Sequence, residues 1–385
     1  MFENLIGQDA FADAMRGDIR GNTLPSSLLL HGPAYSGKLT AALEIARAVS
    51  CQTDGAPWNC GCHSCTLYRH LVNPQLLLLG PRYFDQEIIA SGEALKRDHR
   101  DALRYLFLRA VRKLLRRFDT VLWEGEEKKI SKLARSFDEV EEQLDVLAPG
   151  APLPGVTDVE RAVDRVVESC AKIAQAVPEQ NIPIHMIRKI AYWARTASGG
   201  ATKVVIVENA DRMLDSSRNA LLKTLEEPPP STYFVLLTTS RSALIPTILS
   251  RVRSYPLVGR SRETANEVLR RIFREGDPNF DSLRQYFVTS LFTQDLASLA
   301  RGFLQSVLAD ESDLSVPHGI ADSVSKTSGS RAFRYFAEEL FDLFHRSLRG
   351  AEGDSVTGTD TLQEWTAIVG DHLSRVEVLN MNLHL

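Results

Sequence analysis

Short apolar runs bounded by turn residues alternate with stretches of helical apolar spacing in the first half of the chain. Ser27–His31 predicts a buried strand, Gly32–Gly37 a glycine-punctuated turn, and the stripe Leu39, Leu43, Ala46, Val49 a helix. Strand, glycine loop and helix in that order open a parallel α/β unit. Gln75–Leu79 predicts a second strand, ending at Gly80-Pro81. From Glu93 to Ala148 Gly and Pro nearly vanish, and the spacing predicts two long helices, near Lys96–Arg117 and Glu124–Asp145. Pro149–Pro154 is a turn, and Val156–Val177 a third helix. The α/β pattern then resumes. Ile184–Thr196 is helical, Lys203–Val207 is a continuous β-branched strand, Asp215–Leu225 is helical, Tyr233–Leu237 is a strand and Leu244–Leu249 a short helix. Beyond Arg260 the period is helical throughout, with breaks near Gly276, Pro317 and Gly350–Gly358.

At 385 residues two or three domains are expected. The net charge is −4, so global electrostatics do not favour a protein that simply coats nucleic acid. With 44% hydrophobic and 24% charged residues, wholesale disorder is excluded. No apolar run approaches the roughly 20 residues of a membrane span, and the first residues lack the basic and apolar regions of a signal peptide. A cytoplasmic protein without membrane partners is the expectation. Four of the five cysteines, Cys51, Cys60, Cys62 and Cys65, fall together. In a cytosolic chain such clustering points to metal before disulfides. Four thiolates suit tetrahedral Zn²⁺ in a closed structural site, with a disulfide or a free cluster as alternatives, and His63 could stand in for Cys60 or Cys62. Cys170 lies alone on an apolar helical face, as a small buried hydrophobe does.

Gly32-x4-Gly37-Lys38 is the core of a phosphate loop. Its glycines let the backbone close around phosphate, and Lys38 adds a cation at a helix N-terminus. The next position normally supplies the hydroxyl that holds Mg²⁺; here it is Leu39, and Thr40 is rotated from it by about 100°. The partner acid would be Glu208, at the end of Lys203–Val207. Asn209, at the water-activating position, cannot act as a base. The alternative is a core strand ending in ordinary polar loop residues.

Several segments together resemble the clamp-loader branch of the AAA+ ATPases. They are Phe2-x-x-Leu-Ile-Gly-Gln8, the phosphate loop, the cysteine cluster, KVVIVENADRM from Lys203, Asn219–Pro229, Thr238-Thr239 and Ser250-Arg251. The resemblance covers roughly residues 1–80 and 182–258. It implies an α/β plus α protein with three parts. These are a RecA-like P-loop module with a parallel sheet (1–258, holding a zinc module at 51–65 and a helical insertion at about 83–180), a helical lid (259–318) and a helical collar that oligomerises (319–385). By position, Arg251 is the arginine finger offered in trans to a neighbour's ATP, and Thr238 or Thr239 is the sensor 1 residue. The degenerate nucleotide set is Gly32, Gly37, Lys38, Thr40, Glu208, Thr238 and Thr239, with ATP and Mg²⁺ its family ligands. Loss of the hydroxyl and of the water-activating acid resembles the non-hydrolysing delta-prime type of DNA polymerase III subunit more than the gamma/tau motor. The implied partners are gamma/tau and delta, and, through the complex, the sliding clamp and primer-template DNA. The rivals are an active gamma/tau-type ATPase, with Thr40 and Glu208 serving magnesium, and a zinc-bearing DNA- or partner-binding module on an inactive ATPase fold. No sensor 2 arginine is evident; Gly329-Ser330-Arg331 lies too far beyond Arg251.

Two departures remain. The cysteine spacing is one residue shorter between the second and third cysteines than the family's. The insertion has no counterpart in the resemblance. Its first helix holds nine Lys/Arg against two Asp, and its second eight Asp/Glu against four Lys/Arg, which predicts an antiparallel hairpin of complementary faces. The insertion is read as a self-satisfied helical outgrowth, or as a partner- or DNA-contacting arm using Arg104, Arg112, Lys113, Arg116 and Arg117.

Overall fold

Three of the apolar runs are strands of one parallel sheet: β1 (Ser27–His31), β2 (Leu76–Leu79) and β3 (Lys203–Val207). β4 (Thr232–Thr238) and β5 (Arg253–Pro256) complete it in the order β2-β3-β4-β1-β5, every pair parallel. β2 and β3 are buried throughout and β1 and β4 nearly so, as a sheet covered on both faces requires. β5 has no sequence signature: it is a short edge strand, Arg-Ser-Tyr-Pro, with only Tyr255 buried. The computed structural model describes residues 1–308 except 54, 154, 179, 293 and 294, together with residue 319, residues 330–348 and residues 359–379.

α1 (Asp9–Arg20) and α2 (Lys38–Val49) pack on one face of the sheet. Phe11, Met15, Leu39, Leu43 and Ile45 meet Leu28, Leu30, Leu76, Leu78, Val204, Ile206, Val235 and Leu237 there. The alternation of strand side chains turns Leu29, Leu77, Val205, Phe234 and Leu236, all fully buried, to the other face. α3 (His63–Arg69) follows the cysteine loop.

The region 83–180 differs from the two long helices expected. It contains α4 (Asp85–Arg97), α5 (Asp101–Leu115), a 3₁₀ turn at Arg116–Phe118, α6 (Thr120–Trp123), α7 (Glu127–Ser131), α8 (Ala134–Val146) and α9 (Val156–Ala174). Asp98 breaks the first expected helix: it is extended, and its carboxylate accepts the Arg100 N–H at 3.2 Å. The hairpin partner of α8 is α9, not the basic α5. α10 (Ile184–Arg195), α11 (Asp215–Glu226), α12 (Pro246–Leu249) and α13 (Arg262–Arg271) complete this part of the chain. Lys203 is buried at the start of β3 because its ammonium caps α10, donating to Trp193 O and Thr196 O at 2.6 Å each.

Two compact units divide the chain, Met1–Gln285 and Tyr286–Leu385. Beyond α14 (Leu283–Leu291), the second contains α15 (Leu296–Leu308), α16 (Ser330–Leu348) and α17 (Thr359–Leu379). Its core joins Val288, Phe292, Leu296 and Ala300 to Tyr335, Phe336, Leu340, Phe344 and Leu362. The expected boundary at 318/319 and Gly329 of the sensor 2 search fall at or among positions outside the described residues. Among the described residues no helix is long and apolar enough to cross a membrane.

Candidate functional site

The chain leaves β1 toward the far edge of the sheet and returns through β3 and β4 to β1's side before crossing to β5. The crevice at the C-terminal ends of β1 and β4 is therefore a topological switch point, where open α/β sheets place their ligands. Gly32–Lys38 leaves β1 at that end, and Thr238 lies beside it, paired in register with His31. Gly32 and Gly37 have φ of 156° and 96°, and Gly37 is the left-handed residue preceding α2. The loop has the shape its motif predicts.

Its chemical groups are otherwise engaged. The Lys38 ammonium is turned back on the loop, donating to Gly32 O at 2.7 Å and Pro33 O at 2.5 Å. Burial lowers it to about 8, against the pull of Glu208 and Asp211. Arg260 lies over the loop, with its guanidinium bonded to Tyr35 O and, at 3.3 Å, to Ile6 O. Gln8 ties the same segment down, donating to Ser36 O at 3.1 Å and Val258 O at 2.7 Å. Leu39 is buried in the sheet's core and Thr40 is half-buried one position on. Thr238 is fully buried; its hydroxyl donates to Asp211 at 2.5 Å and accepts the Ser240 N–H at 3.0 Å, while Thr239 is exposed.

Glu208 directly follows β3, and both its oxygens are held. Arg82 donates to Oε1 at 2.8 Å and Arg117 pairs with Oε2. Arg82 also bonds Glu87 at 2.8 Å, and Glu87 in turn pairs with Lys113. Burial alone would raise the Glu87 carboxyl, but Lys113 and Arg82 outweigh it and hold it at about 2. Burial lowers Arg117 to about 10 in spite of Glu208. Gly80 permits the approach: at φ 106°, a Cβ there would lie 2.1 Å from Glu208 O. Asn209 is left-handed at φ 48°, which suits its type, and its amide donates to Pro81 O at 2.7 Å. Glu208 thus offers Mg²⁺ no free carboxylate oxygen and Leu39 no hydroxyl, so the Glu208–Leu39 pair does not fit it.

The basic residues read as an arm are not at the surface. Arg104 is 4% exposed and bonds Leu147 O, Ala148 O and Ala151 O. Arg112 donates to His70 O at 2.8 Å, and Arg116 to Asn73 O at 3.0 Å and to Leu76 O. Lys113 and Arg117 are the buried partners of Glu87 and Glu208. The five cations are engaged by the protein's own groups, and they knit the helices to each other and to the sheet.

Cys51, Cys60, Cys62 and Cys65 place their Sγ atoms within 4.8 Å of one another. Cys51 lies 3.7 Å from Cys60 and 4.0 Å from Cys62. Zinc–sulfur bonds of about 2.3 Å in a tetrahedron require sulfurs about 3.8 Å apart, so the set fits zinc. The shortened spacing is absorbed where Cys62 caps α3, accepting the Cys65 N–H at 3.4 Å. His63 is exposed and outside the cluster. Hydrogen bonds from the Thr53 hydroxyl and then from the Cys62 backbone lower the Cys60 thiol to about 6; burial raises Cys65. Buried Arg47 donates to Cys65 Sγ at 3.3 Å and to Pro57 O at 2.9 Å, and pairs with Glu44, fastening the cysteine loop to α2. Cys170 is buried, its thiol pushed up to about 12.

Arg251 follows α12. It donates to Thr247 O at 2.9 Å and pairs with Glu226 at 3.3 Å, its side chain 29% exposed. β5 starts at Arg253 opposite Leu28, so Arg251 lies at the N-terminal end of the strands. Gly32–Lys38 leaves the other end, on the order of 20 Å away along the strands at 3.3 Å per residue.

The sequence carries no local signal for Arg82, Arg260 or Arg47, which are single basic residues without pattern; Gln8 belongs to the Phe2–Gln8 motif, which does not by itself mark it as a site residue.

Fold and site together define a P-loop α/β module of RecA-like type, with helical additions. Residues 161–259 match a family model described as "DNA polymerase III, delta subunit". A DNA polymerase III subunit delta' of Haemophilus influenzae is 44% identical over 77 residues, 20% of this chain and 24% of that protein. A DNA polymerase III subunit gamma of Buchnera aphidicola is 38% identical over 86 residues, 22% of this chain and 24% of that protein. The solved structure of a DNA polymerase III gamma subunit-related protein from Thermotoga maritima shows 24% identity and a TM-score of 0.33, covering 53% of this chain and 76% of that one. The chain is delta-prime-like: it resembles the clamp-loader subunits of bacterial DNA polymerase III, and spans about a quarter of the length of these curated relatives.

Proposed function

We propose that the chain is a delta-prime-type clamp-loader subunit, a stator that hydrolyses little or no ATP and presents Arg251 in trans to the ATP of an adjacent subunit. The observation that carries this reading is the placement of Arg251. It lies at the opposite end of the sheet from the chain's own loop, half-exposed, held by a loose ion pair to an exposed Glu226. An arginine that cannot serve its own site yet sits in the Ser250-Arg251 motif is suited to a neighbour's. The engaged state of Lys38, Leu39, Glu208 and Asn209 supports a non-hydrolysing subunit over a gamma/tau-type ATPase.

In this reading the α/β module contacts neighbouring gamma/tau and delta subunits. Residues 259–318 act as the lid and residues 319–385 as the collar. The complex places a sliding clamp on primer-template DNA in the cytoplasm. Cys51, Cys60, Cys62 and Cys65 hold one structural zinc, which closes the loop after α2 and leaves no open coordination position for chemistry. Co-purification with gamma/tau and delta subunits, together with ATP turnover by the isolated chain, tests the proposal. Assembly without intrinsic turnover is expected. Appreciable turnover by the isolated chain sinks the stator, and failure to assemble leaves only a zinc-bearing binding module.

A further inference from the structure

We propose that the helical insertion occupies the magnesium position of this P-loop fold, with Arg117 and Arg82 serving as Glu208's permanent counter-cations in place of a divalent metal. The argument needs neither Arg251 nor any partner subunit. Glu208 is the acid that directly follows β3 at its C-terminal end, and its side chain is 9% exposed. Arg117, 3% exposed, reaches it from the 3₁₀ turn that ends α5, 91 residues earlier in the chain. Arg82 reaches the other oxygen from the loop after β2, and also holds Glu87 of α4, which holds Lys113 of α5.

Three cations face two carboxylates in this buried network. A divalent ion approaching Glu208 would meet two guanidinium groups and the Lys38 ammonium, and could displace them only by stranding buried charge. The bond therefore does two things. It docks the insertion on the sheet, and it takes the acid out of metal chemistry. Glu208 lies inside the matched segment 161–259, whereas Arg82, Glu87, Lys113 and Arg117 lie outside it.

The test uses the full zinc-loaded chain and two readouts. Mn²⁺ titration followed by electron paramagnetic resonance, with and without ATP, should show no saturable binding that depends on Glu208. Hydrogen exchange should show peptides spanning residues 82–118 opening about tenfold or more faster in Glu208→Gln, while peptides of β1 and α2 keep their protection. Glu208→Asp keeps the charge but is too short to hold both arginines, and should give a smaller rise if the Gln variant does not fold. Saturable Mn²⁺ binding by the wild type that Glu208→Gln abolishes would overturn the proposal. So would unchanged exchange over 82–118 in both variants.

Discussion

Arg104→Met separates a structural from a nucleic-acid role for the insertion's basic residues. The guanidinium is 4% exposed, and its Nε donates to Leu147 O at 3.1 Å. Nη2 donates to Ala151 O at 2.9 Å and to Ala148 O, and Nη1 pairs with Asp101 at 2.9 Å. Leu147 closes α8, so the arginine is a cation at that helix's C-terminus, favourable to the dipole as well as to the orphan carbonyls. Methionine keeps an unbranched apolar stem and supplies no N–H. Leu147 O becomes a buried acceptor without a partner, worth about 2 kcal/mol, and Ala148 O and Ala151 O, in half-buried residues, regain water at about 0.5–1 kcal/mol each. The loss is about 3–4 kcal/mol, felt at the end of α8 and its turn into α9. Because the chain has two units, one melting temperature is not a clean measure. Hydrogen exchange over residues 134–175 is the assay, with fluorescence anisotropy on a primer-template oligonucleotide beside it. Expected is a rise of 100-fold or more in exchange there, with no salt-dependent change in DNA affinity. Unchanged exchange together with weakened DNA binding would refute the reasoning and restore the arm.

Two further predictions rest on buried groups. A thiol-blocking reagent should release about one zinc per chain to a colorimetric chelator, and Cys65→Ser should lower that to near zero; release from the Ser variant equal to wild type would remove the site. Glu87 has an ordinary carboxyl value of 4.5 and is held at about 2 in the fold, so its contribution is complete above pH 4.5 and drains away as pH falls toward 2. Glu87→Gln should be less stable at pH 7 and should flatten the acid-unfolding curve in that window; superimposable curves for the two proteins would show that the network carries no such linkage.

The sheet was legible in the sequence because buried parallel strands write themselves as unbroken apolar runs, and Leu76–Leu79 and Lys203–Val207 do so. β5 was not, since an edge strand of four residues with one buried side chain carries no such pattern. The cysteine cluster was legible from residue type alone. Glu208 was correctly placed at the end of its strand, but its partners were not, because an ion pair spanning 126 or 91 residues leaves no local trace. The insertion misled for a related reason. A helix dense in arginine has the same composition whether its cations face water or reach backbone carbonyls, and only the fold puts Arg104 against Leu147 and Arg116 against Leu76.

The claim that this chain acts on a neighbour's nucleotide is tested most directly by Arg251→Ala in the assembled complex. The other subunits would carry inactivated ATP sites, leaving only the site that faces this chain. Turnover there should fall by on the order of 10³, the worth of an arginine finger, while assembly is unchanged. A complex that forms normally and keeps wild-type turnover would contradict the account.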